Sequence, residues 1–163
     1  MKIQIVDYQD QLIDHKERTE VVYKTDIYRV SALWLTNSRG QTLLAKRAAK
    51  KDKDPGKWGP AVAGTIDQGE TYDENIYKEA EEEIGLTDEL FKKGLKILIK
   101  YPRTYFCQWY FITLDRDVDS FVMQKDEVDE LAWIDIEQLK REVKAEPDKY
   151  VPAMPQIIDE LGI

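Results

Sequence analysis

Cysteine, histidine, long apolar runs and positive charge are all scarce in this chain, and each scarcity removes a class of function. The single cysteine, Cys107, can close no internal disulfide, so a reducing cytoplasmic location is expected. The single histidine, His15, excludes a histidine-clustered zinc centre and disfavours a Ser-His-Asp triad; set among Asp14, Lys16 and Glu17, it reads as a surface residue. No apolar run approaches the roughly 18 residues of a membrane span. The opening MKIQIVDYQDQ lacks the apolar stretch and small-residue cleavage site of a secretory signal, so no membrane partner is expected. The 24 Lys and Arg residues fall short of the 32 Asp and Glu, for a net charge of −8 and no basic footprint for nucleic acid. A polyanionic substrate therefore needs metal ions or a local basic patch to approach.

What is present is an ordinary globular composition, 42% hydrophobic and 34% charged over 163 residues, enough for one good core. The chain reads as one domain over 1–163, with an N-terminal strand segment 1–27, a core 28–145 and a C-terminal helical segment 146–163. Residues 2–7 (KIQIVD) alternate like a strand, with Tyr8-Gln9-Asp10-Gln11 as a turn. Residues 28–36 and 41–47 predict two strands joined by Asn37-Ser38-Arg39-Gly40, a hairpin signal. A basic loop follows from Ala48 to Lys57, then a brief buried strand at 61–65. Segments 94–101, 104–115 and about 128–134 are rich in β-branched and aromatic residues and predict further strands. Residues 136–145 and 153–161 read as helices, the second opened by Pro152 and Pro155. Strands on both sides of a helix, with helices closing the chain, indicate an α/β or α+β sandwich.

Residues 64–86, GTIDQGETYDENIYKEAEEEIGL, carry the chemistry. Thr71 followed by Glu74 is a capping-box signature, and Gly85 stands where a helix takes a residue of positive φ, so a helix is predicted from about Tyr72 to Ile84. At about 100° per residue, Glu79, Glu82 and Glu83 share one stripe, with Ile76, Tyr77, Ala80 and Ile84 on the adjoining, core-facing arc. Three carboxylates crowded on a stripe repel one another unless a cation sits among them. Hard divalent ions such as Mg²⁺ take oxygen ligands of this kind and share them with substrate phosphates.

The same stretch resembles the Nudix box, G-x5-E-x7-R-E-U-x-E-E-x-G-U with U a bulky aliphatic residue. Gly64, Glu70, Glu79, Glu82, Glu83, Gly85 and Leu86 match, while Lys78 replaces the arginine and Ala80 is small for its U position. The resemblance implies a Nudix-type α/β/α sandwich with a mixed sheet and the box as loop-helix-loop. It implies a Mg²⁺-dependent hydrolase, with Mn²⁺ also possible, that cleaves a diphosphate linkage in a nucleoside diphosphate, triphosphate or derivative. Carried over, Glu79, Glu82 and Glu83 become metal ligands and catalytic residues, with Glu79 a candidate for the water-activating base. Glu70 orients the box or joins the ligands, and the Ala63 carbonyl beside Gly64 is a further ligand candidate. Lys78 supplies a point charge where an arginine would supply a planar fork, so reduced precision rather than a dead site is expected.

Further candidates lie outside the box. Lys46, Arg47, Lys50, Lys51, Lys53 and Lys57 form the one basic cluster, placed to meet phosphate oxygens. Arg103 and Tyr105, near Tyr101 and Trp109 on an alternating strand, are candidates for substrate binding. Among Asp126, Glu127 and Glu130, Glu127 is the first choice for an extra carboxylate. The stretch LLAKRAAKKDKDPGKWGPAVAGTIDQGE and the tail PDKYVPAMPQII resemble the isopentenyl diphosphate isomerase branch. That branch places a catalytic Cys before the box glycine and a metal-binding His after it; here Ala63 and Thr65 stand there, which disfavours isomerisation. The remaining alternative is a regulatory module that binds a nucleotide without turnover. Either way the expected partner is a nucleotide or other small diphosphate, bound by a monomer or homodimer.

Overall fold

The computed structural model describes all residues 1–163. Nine strands form one mixed sheet: β1 (Lys2–Val6), β2 (Leu12–Glu17), β3 (Ile27–Thr36), β4 (Gln41–Arg47), β5 (Trp58–Pro60), β6 (Val62–Thr65), β7 (Lys92–Ile99), β8 (Tyr105–Thr113) and β9 (Val128–Asp135). Three helices cover it: α1 (Tyr72–Ile84), α2 (Ile136–Ala145) and α3 (Met154–Leu161). The central strand β3 runs parallel to β8 along its whole length, from Tyr28 opposite Tyr105 to Thr36 opposite Thr113. Its other edge is shared in turn by β1, β6 and β4, all antiparallel.

Alternation along β3 decides the layers, since successive side chains point to opposite faces. Leu33 and Leu35 pack with Ile76, Ala80 and Ile84 of α1 in one core layer. Ala32 and Trp34 pack with Leu139 and Val143 of α2 and Met154 and Ile157 of α3 in the other. The expected α/β/α sandwich with a mixed sheet is what the chain forms.

Several elements differ from the sequence expectation. The turn after β1 leads into a strand, β2, making an N-terminal hairpin. The β3–β4 hairpin closes at a single rung, Thr36 opposite Thr42, after which the strands splay, with β6 pairing β3 and β5 pairing β4 in the gap. Tyr77, expected in the core, is 40% exposed; it stacks on Phe91 with centroids 4.6 Å apart and its hydroxyl accepts the Phe91 N–H. The sheet covers only the Ile76, Ala80 and Ile84 stripe of α1, and an aromatic one residue off that stripe must find its own cover.

Candidate active site

The site grows from the junction of β6 and α1. Thr71 caps the helix: its hydroxyl accepts the Glu74 N–H at 3.1 Å, and the Glu74 carboxylate accepts the Thr71 N–H at 2.8 Å. Gly85, at φ 65°, ends it in the left-handed conformation. With the helix fixed at both ends, Glu79 is laid against the backbone of Gly64. A side chain there would bring its Cβ to 2.6 Å from Glu79 Oε1, so only glycine permits this approach.

Behind Glu79 lies a polar frame. Asn75 is fully buried; its amide donates to the Thr65 carbonyl at 3.2 Å and Glu70 Oε2 at 2.9 Å, while Ser31 donates to its Oδ1 at 2.5 Å. Glu70 also accepts the Asp67 N–H at 3.0 Å and pairs with Lys78. Burial would raise the Glu70 carboxyl, but the donors from Lys78, Asp67 and Asn75 hold it below the usual range. Glu70 thus ties the loop residue Asp67 to Asn75 and Lys78 of α1, and it is not among the residues lining the cavity. Lys78 reaches three acids: it pairs with Glu70, lies 3.4 Å from Asp67 Oδ2 and 3.8 Å from Glu79 Oε1.

Glu79, Glu82, Glu83 and Glu127 border one cavity of about 800 Å³, with Ala63 and Gly64 beside them. Glu83 is only 8% exposed and accepts the Ala63 N–H at 3.4 Å. Burial pushes its carboxyl well up, and repulsion from Glu79 adds to this. Burial likewise raises Glu79 to about 7; Lys78 opposes this while Glu82 and Glu70 reinforce it. No three acidic side chains converge tightly enough to enclose an ion. The donor set nonetheless suits a hard divalent cation: it offers partly buried carboxylate oxygens on one stripe. Asp126 pairs with Lys50 on the surface, and neither Asp126 nor Glu130 reaches the cavity.

The facing wall is basic. Arg47 lines it and donates from Nε to the Lys53 carbonyl at 2.8 Å, which folds the 48–57 loop over the cleft. Lys51 pairs with Glu127, and Arg103 donates to Asp54 at 2.7 Å while its Nε stays buried without a partner. Lys53 is lowered to about 8, chiefly by burial and then by the charges of Arg103, Arg18 and Arg47. Alternation along β4 sends Lys46 to the face opposite Arg47; neither Lys46 nor Lys57 lines the cavity.

The same cavity also has an apolar lining, from Val30, Ala32, Cys107, Trp109, Val151 and Ile157. Trp109 is 1% exposed, and its indole N–H has no partner. Tyr105 reaches this wall but is tilted against Tyr28, with centroids 5.3 Å apart, and Tyr101 lies exposed outside it. Burial pushes the Cys107 thiol far up, so it stays a thiol. Sequence reading did not find Asn75, Arg18 or Asp67. The one available signal was an asparagine on the core face of an amphipathic helix, one turn before Glu79.

Residues 27–157 match the NUDIX domain family. A Methanosarcina mazei protein described as a prenyl-diphosphate phosphatase is 30% identical over 151 residues, 91% of this chain and 88% of that protein. The 1.9 Å crystal structure of DR0079 from Deinococcus radiodurans superposes with a TM-score of 0.86 at 19% identity, covering 98% of both chains. A bifunctional NMN adenylyltransferase/ADP ribose pyrophosphatase from Francisella tularensis, solved with AMP and a manganese ion, superposes on 82% of this chain and 40% of that one, with a TM-score of 0.61 at 19% identity. At such identities the two solved structures speak for the fold alone.

Proposed function

This chain belongs to the NUDIX domain family and is a Nudix hydrolase, and from that premise we propose that it hydrolyses the diphosphate of a small organic diphosphate with Mg²⁺ or Mn²⁺, a short prenyl diphosphate being the preferred substrate. One observation carries this reading. A single cavity joins a carboxylate stripe, a basic wall and an apolar end.

Glu79, Glu82 and Glu83 would hold the cation, with Glu127 within the same cavity. A divalent ion bound there supplies charge to offset the phosphates and lowers the pKa of water. Glu79, which lies against Gly64 and within 3.4 Å of the Asn75 amide, would take the proton of the attacking water. Arg47, Lys53 and Arg103 line the same cavity as the stripe and would bind phosphate oxygens, holding the diphosphate in line. Water adds to phosphorus, the P–O bond of the bridge breaks, and the leaving phosphate departs with the bridging oxygen.

The apolar end separates the substrate classes. A nucleobase needs several hydrogen-bond partners and a free aromatic face. Here the one unpaired donor of the apolar wall, the Trp109 indole N–H, is buried, and Tyr28 and Tyr105 are packed on each other. An isoprenoid tail asks only for apolar walls, and the 30% identical relative is named for such substrates. Nucleoside diphosphate derivatives are the second reading, supported by the basic residues Arg47, Lys53 and Arg103 that line the same cavity. The retained glutamate stripe argues against a module without turnover. Ala63 and Thr65, where an isomerase needs Cys and His, argue against isomerisation.

The test is hydrolysis with Mg²⁺ or Mn²⁺, read by separating the products (monophosphates, diphosphate or inorganic phosphate), over isopentenyl, dimethylallyl and geranyl diphosphates, nucleoside di- and triphosphates, NDP-sugars and dinucleotides. The highest kcat/KM is expected on a prenyl diphosphate, with no dimethylallyl diphosphate formed from isopentenyl diphosphate. Preference for a nucleotide would reassign the apolar end. Absence of turnover on the whole panel would favour the regulatory module.

A further inference from the structure

We propose that the N-terminal hairpin is a positioning device for the loop that leads into the cation-binding helix α1, with Gln4 as its central positioning residue. The hairpin (residues 2–17) lies outside the matched family region, which begins at residue 27. The proposal rests on the reading of Glu79, Glu82 and Glu83 as cation ligands.

The loop in question runs from Ile66 to Thr71, between β6 and α1. It is held on both sides: Ile66 N–H donates to the Arg29 carbonyl at 2.9 Å, and Gln68 N–H donates to the Lys2 carbonyl at 2.8 Å. Ile3 bridges Asp67 across this seam. Gln4, 4% exposed, uses its whole amide there. Nε2 donates to the carbonyls of Asp67 at 2.9 Å and Glu70 at 2.8 Å, and Oε1 accepts from Arg29 Nη1 at 2.7 Å. One side chain thus fixes both ends of the Asp67–Glu70 turn.

Arg29 is fixed in its turn. Its Nε donates to Asp10 Oδ1 at 2.7 Å and its Nη2 to the Asp10 carbonyl at 2.5 Å. Asp10, in the hairpin turn at φ 58°, also pairs with Lys96 and accepts the hydroxyl of Tyr72, the first residue of α1, at 3.1 Å. Arg18, just past β2, lies 3.3 Å from Asp67 Oδ1. Downstream, the loop's Glu70 holds Asn75 and Lys78, and both of these reach Glu79. The hairpin therefore sets the loop, the loop sets Glu70, and Glu70 sets the frame behind Glu79. Groups that orient metal ligands from behind typically cost about 10–100-fold in metal affinity when removed.

The experiment uses the full chain and Mn²⁺ alone as the probe. Gln4→Met keeps side-chain volume and removes the amide. Arg29→Lys keeps the charge toward Asp10 and loses the fork that spans Asp10 and Gln4. Lys16→Met is the control: it breaks the Lys16–Asp26 pair, which ties β2 of the hairpin to the residue before β3 and includes no residue of the loop. Mn²⁺ affinity by calorimetry without substrate, Tm, and KM at saturating Mn²⁺ are measured for each. Gln4→Met and Arg29→Lys are expected to weaken Mn²⁺ binding about tenfold, with KM within about twofold of the parent. Lys16→Met lowers Tm and leaves Mn²⁺ affinity unchanged. Parent-like Mn²⁺ affinity in Arg29→Lys and in any folded Gln4→Met overturns the proposal, as does an equal loss in Lys16→Met. Should Gln4→Met not fold, Arg29→Lys decides by the same comparison. Failure of the underlying site would look different: the Glu82→Gln/Glu83→Gln double variant would then bind Mn²⁺ like the parent.

Discussion

Lys78 shares its charge among Glu70, Asp67 and Glu79, and burial that would lower its pKa is outweighed by those carboxylates, chiefly Glu70, so the pKa rises. Lys78→Arg restores a planar fork among the same acids and is expected to keep or raise kcat/KM. Lys78→Ala frees Glu70 and removes a countercharge from Glu79; a barrier increase of about 1–2 kcal/mol gives a roughly five- to thirtyfold loss. Equal kcat/KM for the parent and Lys78→Ala would make the residue a bystander. Glu82→Gln alone should abolish turnover, and with Glu83→Gln should abolish Mn²⁺ heat in calorimetry. Gly64→Ala is the sharpest steric test, since its Cβ would occupy the space of the Glu79 carboxylate. The variant should fold, by circular dichroism, and lose activity; parent-like kcat would mean Glu79 works from another position.

At the scale of elements, the 48–57 loop is held by backbone bonds at its ends and, through its middle, by Arg47 Nε on the Lys53 carbonyl. Arg47→Lys keeps a charge but cannot make that bond in the same geometry. KM is expected to rise about tenfold with kcat within about twofold, because substrate binding and not the stripe is disturbed. An unchanged KM would detach this loop from the substrate. The legibility of each element follows from where its determinants lie. α1 was readable to the residue because Thr71, Glu74 and Gly85 act locally, and the glutamate stripe followed from helix geometry alone. β5 was missed because three residues beside Pro55-Gly56 have no room for a period. β2 was missed because LIDHKE carries no buried face. Asn75 and Gln4 have roles defined only by distant partners, which no local pattern records.

For the whole molecule, the buried carboxylates set how stability follows pH. The folded Glu79 carboxyl titrates near 7 against 4.5 for the free side chain, so the folded state holds the proton more tightly. That stabilisation is complete below about 4.5 and is lost as pH climbs toward 7. The Tm of EDTA-treated protein should fall across this window, and less steeply in Glu79→Gln; added Mg²⁺ should recover the loss at the upper end. Identical slopes for the two proteins would remove Glu79 from the account. The sheet has a different consequence, for synthesis. β3 meets its hairpin neighbour β4 at one rung, and its full-length partner is β8. As the chain leaves the ribosome, the strand that will become the centre of the molecule waits, one edge bare, until residues near 113 have emerged. Non-local pairing of this kind folds slowly and exposes unpaired edges meanwhile. A nascent chain stalled before β8 should therefore be readily cut by protease within β3, and one released after β8 should resist.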